Sequence, residues 1–181
     1  MTEEHLIKQA RKGNGEAQRQ LYECYGGFAM ATALRYLADR SLAGDAVQEA
    51  FIKVFTHLDR FDYRGNNSLR AWIGRIVAHE SLSLMRRNSH YVPMEQFAED
   101  LDENEPPPDV GHVPPDILQK FIRELPQGYR TVFCLYVFEE MTHREIGETL
   151  GISINTSASQ YMRARQVLEK RIREYIKQQE R

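Results

Sequence analysis

Arginines, aromatic residues and amides alternate along residues 60–75. Aromatic faces stack on unpaired bases, arginines hold phosphates, and amides read the base edges of single strands. The interleaved side chains are Arg60, Phe61, Tyr63, Arg64, Asn66, Asn67, Arg70, Trp72 and Arg75. The alternative is that Phe61 and Trp72 are core residues and that the two asparagines only form a turn. Both can hold together, with Trp72 partly buried beside a functional loop.

A second motif occupies residues 141–165. Thr142 and Glu145 have the spacing of a capping box, Gly151 suits a left-handed helix end, and a polar, basic helix follows. Helix, short glycine turn and helix is the spacing of a helix-turn-helix motif. The polar residues predicted to reach base edges and phosphates are Ser157, Ser159, Gln160 and Arg163. The alternative is a helical hairpin with a solvated polar face, but the three features together favour DNA binding.

Residues 45–55 predict an amphipathic helix. Its apolar positions fall on one stripe, and Asp45, Gln48, Glu49 and Lys53 fall outside it. Taken alone, this polar face indicates only contact with solvent.

The whole chain has 181 residues, of which 41% are hydrophobic and 28% charged, as in a globular protein. Apolar residues recur at helical spacing and no alternating strand pattern stands out, so we predict an all-α fold. No apolar run approaches the roughly 18–20 residues of a membrane span, and the first residues lack the features of a secretory signal. Cys24 and Cys134 indicate reduced, buried thiols of a cytoplasmic protein.

Charge and proline divide the chain into three parts. Residues 91–116 carry eight acidic and no basic residues, and the segments on either side are each net +3. Six of the seven prolines also lie in this acidic region, where they stiffen the backbone and exclude helix. We therefore predict two small helical domains, residues 1–90 and 116–181, joined by an acidic, proline-rich linker at 91–115.

No pattern indicates an enzyme. The sequence lacks a phosphate-binding GxxxxGK[ST] loop, and its six histidines are scattered, with no two at metal spacing beside a cysteine. Paired carboxylates occur mainly in the linker, which is a poor scaffold for acid–base chemistry. We expect no catalytic residues, no metal and no cofactor.

The order of these motifs resembles the bacterial RNA polymerase sigma factors of the extracytoplasmic-function (ECF) class, over about residues 1–90 and 116–177. The resemblance implies two helical domains, called regions 2 and 4, and a cytoplasmic protein that is not inserted in a membrane. It implies promoter DNA and core RNA polymerase as partners, the latter through its β′ clamp and β flap. It makes an anti-sigma factor a further partner. The polymerase-binding residues would be Asp45, Gln48, Glu49 and Lys53.

The resemblance also distributes the DNA contacts between the domains. The first domain would melt the minus-ten element through Phe61, Arg64, Asn66, Asn67, Ser68, Arg70, Trp72, Arg75, Arg86 and Arg87. The second would read the minus-thirty-five element through His143, Arg144, Asn155, Thr156, Ser157, Ser159, Gln160 and Arg163. Ala158 and Gln160 depart from the family pattern, which often has basic residues there. His79 and Ser83 also depart, since Asn and Asp are common at those positions.

Two other functions compete with this interpretation. A conventional helix-turn-helix repressor or activator would use its first half for dimerisation or ligand binding, and would have no use for a loop that captures single strands. The other alternative is a cytoplasmic helical enzyme or adaptor with an incidental helix-turn-helix, and the absence of any catalytic constellation argues against it. We therefore predict a transcription initiation factor.

Overall fold

The computed structural model describes residues 2–65, 67–88 and 107–180, and every regular element in these ranges is a helix. In chain order they are α1 (Glu3–Arg11), α2 (Gly15–Tyr36), α3 (Arg40–His57), a 3₁₀ turn (Leu58–Arg60), α4 (Ser68–Asn88), α5 (Pro115–Arg123), α6 (Gln127–Val137), α7 (His143–Leu150) and α8 (Ile154–Gln179). The predicted all-α fold is confirmed. The described residues divide into two compact units, one within residues 1–91 and the other within residues 92–181.

The helices of the first unit start at polar caps. Side-chain oxygens of Thr2, Asn14 and Asp39 accept a hydrogen bond from the amide three residues further along, at 3.3, 3.0 and 2.8 Å. Each cap pairs one of the amides that a helix start leaves without a partner, and is typically worth about 1 kcal/mol. Local sequence therefore sets where α1, α2 and α3 begin.

The core of the first unit lies where α2, α3 and α4 pack on one another, with α1 packed on α2. Alanines at these contacts are almost completely buried, which lets the helices approach closely. The larger buried side chains of the three helices are Leu21, Tyr36, Val47, Phe51, Val54, Leu69, Ile73, Val77, Leu82 and Met85. The predicted apolar stripe of α3 faces this core, and the polar side of α3 is left outside.

The second unit is built around α8, on which α5, α6 and α7 pack. Its core contains Tyr129, Val132 and Leu135 from α6, and Ile146 from α7. The capping box of α7 is present, with the Thr142 amide donating to Glu145 Oε2 at 2.8 Å. This unit therefore holds α7 against α8 through an apolar interface.

The two cysteines lie in different environments. Cys134 is buried in α6, but Cys24 is exposed on α2, so the prediction of two buried thiols is wrong for Cys24. The buried stripe of α2 passes from Leu21 through the half-buried Tyr25 to Ala29, and Cys24 lies beside that stripe. Helical spacing alone did not fix the edge of the stripe.

The predicted linker lies largely outside the described residues, which resume at Pro107. Helix α5 begins at Pro115 and therefore includes the last residue assigned to the linker. Proline suits the first turn of a helix because its missing amide proton would have no partner there.

Candidate nucleic-acid interface

The outer side of α3 presents Asp45, Gln48 and Glu49, all exposed and opposite the buried stripe. Ile52 continues this face one turn further and is 60% exposed, which is unusual for a large apolar side chain. Sequence analysis missed Ile52, although its position three residues after Glu49 was a usable signal. The face therefore combines two carboxylates, an amide and an apolar residue, a composition suited to binding another protein.

Lys53 differs from the other three predicted polymerase-binding residues because it has a partner within the unit. Its Nζ donates to Glu80 Oε1 at 2.6 Å. Glu80 belongs to α4 and is only 4% exposed, whereas the Lys53 side chain is about half exposed. A buried carboxylate needs such a partner. Lys53 therefore ties α3 to α4.

The loop at residues 61–67 connects the 3₁₀ turn to α4 and is closed by its own polar groups. Ser68 Oγ donates to the Gly65 carbonyl at 2.7 Å and accepts from the Arg64 amide at 3.2 Å. Gly65 and Asn67 have positive φ values of 93° and 71°, so the chain turns sharply here. Ser68, predicted to contact DNA, uses its hydroxyl to close the loop. Asn66 lies outside the described residues.

Phe61 is buried, and its ring lies 5.1 Å from that of the half-buried Trp72. Of the two roles that the sequence left open for Phe61, the structure shows the core role, because its ring packs inside the unit and anchors the base of the loop. Trp72 keeps part of its surface open, as expected. The Asn67 side chain is exposed. The stacking surface predicted for unpaired bases is thus reduced to Trp72 and Tyr63.

Basic residues surround this loop and continue along α4. The Arg64 guanidinium pairs with Asp62 at 3.0 Å, and that of Arg70 lies over the Phe28 ring, 4.4 Å from its centroid. We call the outward row on α4 the basic stripe, formed by Arg75, His79, Ser83, Arg86 and Arg87. Arg75, His79 and Ser83 follow one another at intervals of four residues, and Arg86 and Arg87 lie three and four residues after Ser83. All are exposed except for the half-buried Ser83. The predicted Arg75, Arg86 and Arg87 therefore share one side of α4.

The turn between α7 and α8 depends on two glycines. A Cβ atom on Gly147 would meet the Ile152 carbonyl oxygen at 2.7 Å, so any larger residue would push the turn away from α7. Gly151 ends α7 with φ 69°, in the left-handed region that favours glycine. Ser153 then caps α8 by accepting a hydrogen bond from the Thr156 amide at 3.0 Å. The predicted helix-turn-helix geometry is present.

Two residues predicted to contact DNA point into the second unit instead. Ser157 is 0% exposed and Gln160 is 6% exposed. Together with Ala164 and Leu168 they form the inward stripe of α8, at intervals of three or four residues. Ser157 and Gln160 therefore pack within the second unit, and other residues form the outward side of α8.

The opposite side of α8 carries Asn155, Thr156, Ser159 and the half-buried Arg163. Met162 also lies there and is 50% exposed. Sequence analysis missed Met162, because a methionine within an amphipathic helix usually indicates core. The outward face of α8 is therefore polar at its start and apolar one turn later. Arg163 is the arginine of this face within the first three turns of α8.

His143 holds the start of α7 against α8. Its Nδ1 lies 3.0 Å from Ser157 Oγ, and its ring stacks on Tyr136 with centroids 4.6 Å apart and planes 17° apart. Tyr136 also lies 4.3 Å from the Tyr161 ring. His143, predicted to contact DNA, is thus half-buried in an aromatic cluster, while the neighbouring Arg144 is exposed. Sequence analysis missed Tyr136, which is partly exposed beside this cluster.

The part of the chain that the structure describes shows neither a metal site nor a membrane-spanning helix. Within residues 2–65, 67–88 and 107–180, no three His, Cys, Asp or Glu side chains come together as a metal site would require. None of the helices in those ranges has the length and apolar character to cross a membrane.

Comparison with known proteins identifies the two units. Residues 21–91 match the Sigma-70 region 2 family, and residues 116–168 match the Sigma-70 region 4 family. The chain is 28% identical over 180 residues to the ECF RNA polymerase sigma factor SigW of Bacillus subtilis, covering 93% of this chain and 95% of that protein. It is 24% identical over 187 residues to the ECF RNA polymerase sigma-E factor of Haemophilus influenzae, covering 95% and 96%.

A solved structure shares the fold. It is the sigma factor RpoE of Bartonella quintana in complex with the anti-sigma factor NepR, with a TM-score of 0.50 and 23% identity, covering 86% of this chain and 96% of that chain. The family matches follow the motif order along the chain, so the resemblance found in the sequence is confirmed. The chain belongs to the sigma-70 family and is an RNA polymerase sigma factor of the ECF class.

Proposed function

We propose that this sigma factor directs core RNA polymerase to promoters through three separate surfaces. The outer face of α3 binds the polymerase, the 61–67 loop with the basic stripe binds the melted minus-ten element, and the outward face of α8 reads the minus-thirty-five element. The observation that carries the proposal is a closed, arginine-flanked loop in the same chain as a helix-turn-helix motif. A duplex-binding repressor or activator would have no use for that loop.

The α3 face is proposed to meet the β′ clamp. Asp45, Gln48 and Glu49 are exposed, and their helix is held by core packing and by the Lys53–Glu80 ion pair. Because the helix is already fixed by packing, its backbone loses little conformational entropy on binding. Ile52 adds an exposed apolar side chain at the C-terminal end of this polar face. Lys53 stabilises the position of α3 through its ion pair with Glu80, and we assign it no direct contact with the polymerase.

The loop and the basic stripe are proposed to act together in melting the minus-ten element of the promoter. Removing a base from the duplex stack costs a few kcal/mol, which contacts to the flipped base must offset. Asn67 and the open part of Trp72 supply polar and stacking contacts, and Arg75, Arg86 and Arg87 attract the phosphates. No catalytic group is needed, because captured bases and phosphate contacts shift the equilibrium toward the open strand.

The second unit is proposed to dock α8 in the major groove of the minus-thirty-five element. Asn155, Thr156 and Ser159 at the start of α8 would face base edges or phosphates, and Arg144 and Arg163 would add charge. Met162 would contact a thymine methyl group. The β flap of the polymerase is the proposed partner of this unit, on the family resemblance alone.

An anti-sigma factor is proposed as the regulator of this protein in the cytoplasm. The Bartonella relative has been solved with such a partner. An inhibitor that covers the α3 face would block polymerase binding directly. We therefore expect anti-sigma binding and core binding to compete.

The test assigns each surface to its own step. Holoenzyme is assembled from core polymerase and full-length variants altered in the α3 face, the loop or the outward face of α8. Core affinity, strand opening by permanganate footprinting and duplex affinity are measured for each variant. The proposal expects each set to impair mainly its own step. Equal losses in all three steps would show that the surfaces do not divide the function in this way.

A further inference from the structure

The first helix of the chain touches the base of the 61–67 loop. Arg11, the last residue of α1, donates from Nε to the Leu58 carbonyl oxygen at 2.9 Å and from Nη2 to the Phe61 carbonyl oxygen. These carbonyls lie 47 and 50 residues away along the chain, at the two ends of the 3₁₀ turn. One planar guanidinium therefore holds both the first residue of the 3₁₀ turn and the first residue of the loop.

The other end of α1 reaches the same region. Tyr25 Oη in α2 donates to Glu3 Oε1, which fixes the first turn of α1 against α2. Burial raises the pKa of the Tyr63 phenol, and the nearby Glu3 carboxylate adds to this shift. Charged groups at both ends of α1 thus lie beside the loop or the turn that leads into it.

The inner side of α1 is packed against the rest of the first unit. Ile7 and Ala10 are almost completely buried, and α1 packs on both α2 and the 3₁₀ turn. A charged group mounted on a packed helix keeps its position better than one on a free terminus. Residues 3–11 also lie outside the range that matches the Sigma-70 region 2 family, which begins at residue 21. The region 2 match therefore does not extend to α1.

We infer that α1 is a brace for the melting loop and that Arg11 is a positioning residue for promoter opening. This inference rests on the proposed role of the loop in capturing the minus-ten strand. Arg11 fixes the Phe61 carbonyl, Phe61 packs on Trp72, and the loop beyond is held in the conformation that presents Asn67. Without the brace the loop samples other conformations, and its apparent affinity for a single strand falls by the fraction of time spent in the competent one.

Three variants of the full-length protein test the brace. Arg11→Gln removes the two-point donation, and Arg11→Lys keeps the charge but not the planar fork. Lys8→Gln is the matched control, because Lys8 lies on the same helix and its ammonium pairs with Glu4 at 2.8 Å. If only charge on α1 matters, Lys8→Gln and Arg11→Gln behave alike.

The first measurement needs no polymerase or DNA. Trp72 is the only tryptophan of the chain and packs on Phe61, so acrylamide quenching of its fluorescence reports on the base of the loop. The inference expects quenching to rise in Arg11→Gln, to rise less in Arg11→Lys and to stay unchanged in Lys8→Gln. Unchanged quenching in Arg11→Gln overturns the inference whatever the role of the loop.

The second measurement uses holoenzyme and a single-stranded minus-ten oligonucleotide. Arg11→Gln should bind it about three- to tenfold more weakly with unchanged core affinity, since the loop is less often in its competent conformation. If core affinity falls as well, the unit has lost its fold and Arg11→Lys carries the test. Normal binding by a folded Arg11 variant whose Trp72 is more easily quenched overturns the positioning role.

Asn67→Gly separates failure of the brace from failure of the loop. If Asn67→Gly weakens oligonucleotide binding and Arg11→Gln does not, the proposed function stands and the inference is overturned. If neither variant weakens binding, the role of the loop is wrong, and the Trp72 measurement alone decides whether α1 anchors it.

Discussion

Lys53 Nζ lies 2.6 Å from Glu80 Oε1, and this ion pair joins the helix that carries the proposed polymerase surface to the helix that carries the basic stripe. The carboxylate is buried and the ammonium is half exposed. Lys53 thus neutralises the charge of a buried carboxylate while about half of its own side chain remains in contact with water. The pair fixes α3 against α4, which should hold the two surfaces in a constant relation within the first unit.

Removing Lys53 should therefore cost stability. Lys53→Met leaves Glu80 buried without its cation, and we expect the free energy of unfolding of the first unit to fall by about 1–3 kcal/mol. The double variant Lys53→Met, Glu80→Leu should recover part of this loss, because it removes the unpaired charge. Urea unfolding followed by Trp72 fluorescence measures both. A Lys53→Met midpoint equal to that of the parent would show that the pair contributes nothing.

The exposed residues of the α3 face should contribute to the affinity of the protein for core RNA polymerase. The double variant Asp45→Lys, Glu49→Lys reverses two exposed charges without touching the buried stripe, so the helix should remain folded while core affinity falls. Circular dichroism and a competition assay for core polymerase measure the two effects. Glu16→Lys, Glu23→Lys on α2 is the matched control and should bind core normally. Unchanged core affinity of the folded α3 variant would remove the assignment.

The loop should matter for strand opening more than for duplex binding. Asn67 has φ 71°, so Asn67→Ala would combine loss of the amide with backbone strain of about 1–3 kcal/mol. Asn67→Gly removes the amide without that strain and is the better test. We expect reduced permanganate reactivity at the minus-ten element with nearly unchanged duplex affinity, and the same for Asn66→Ala. Normal opening in both would leave the loop with a structural role only.

The outward face of α8 should read the minus-thirty-five element. Arg163→Ala should weaken binding to the cognate element, and Ala158→Lys should strengthen binding to all sequences, mostly at low salt, because it adds a phosphate partner. Ala38→Lys on the first unit adds the same charge elsewhere and is the control. Duplex titrations at several salt concentrations should show a steeper salt dependence for Ala158→Lys alone, by about one unit of slope. If Arg163→Ala binds cognate and scrambled duplexes as the parent does, α8 presents a different face to DNA.

Much of the fold could be predicted because helices leave periodic and capping signals. The apolar stripe of α3 and the Thr142–Glu145 capping box depend on residues close in sequence, and both are present. The inward direction of Ser157 and Gln160 could not be predicted in the same way. Small polar residues carry no hydrophobic signal, so the buried stripe of α8 became evident only from its packing on α6 and α7.

Contacts between distant residues were the least predictable part of the candidate site. Phe61 has aromatic and basic neighbours in sequence that suit a stacking surface, but its position is set by Trp72 and by Arg11. The stack of His143 on Tyr136 joins α7 to the preceding helix and removes His143 from the exposed polar face. Such pairings depend on how helices meet, which a single sequence does not specify.

Specific initiation by core polymerase tests the central claim most directly. The full-length protein is added to core polymerase and a template library with randomised sequences upstream of a reporter, and the start points of the run-off transcripts are mapped. The account predicts discrete start points that require the protein, preceded by two shared elements with constant spacing, and loss of these transcripts in the α3 double variant. Transcripts that do not depend on the protein, or a protein that binds duplex DNA yet never supports initiation by core, would contradict it.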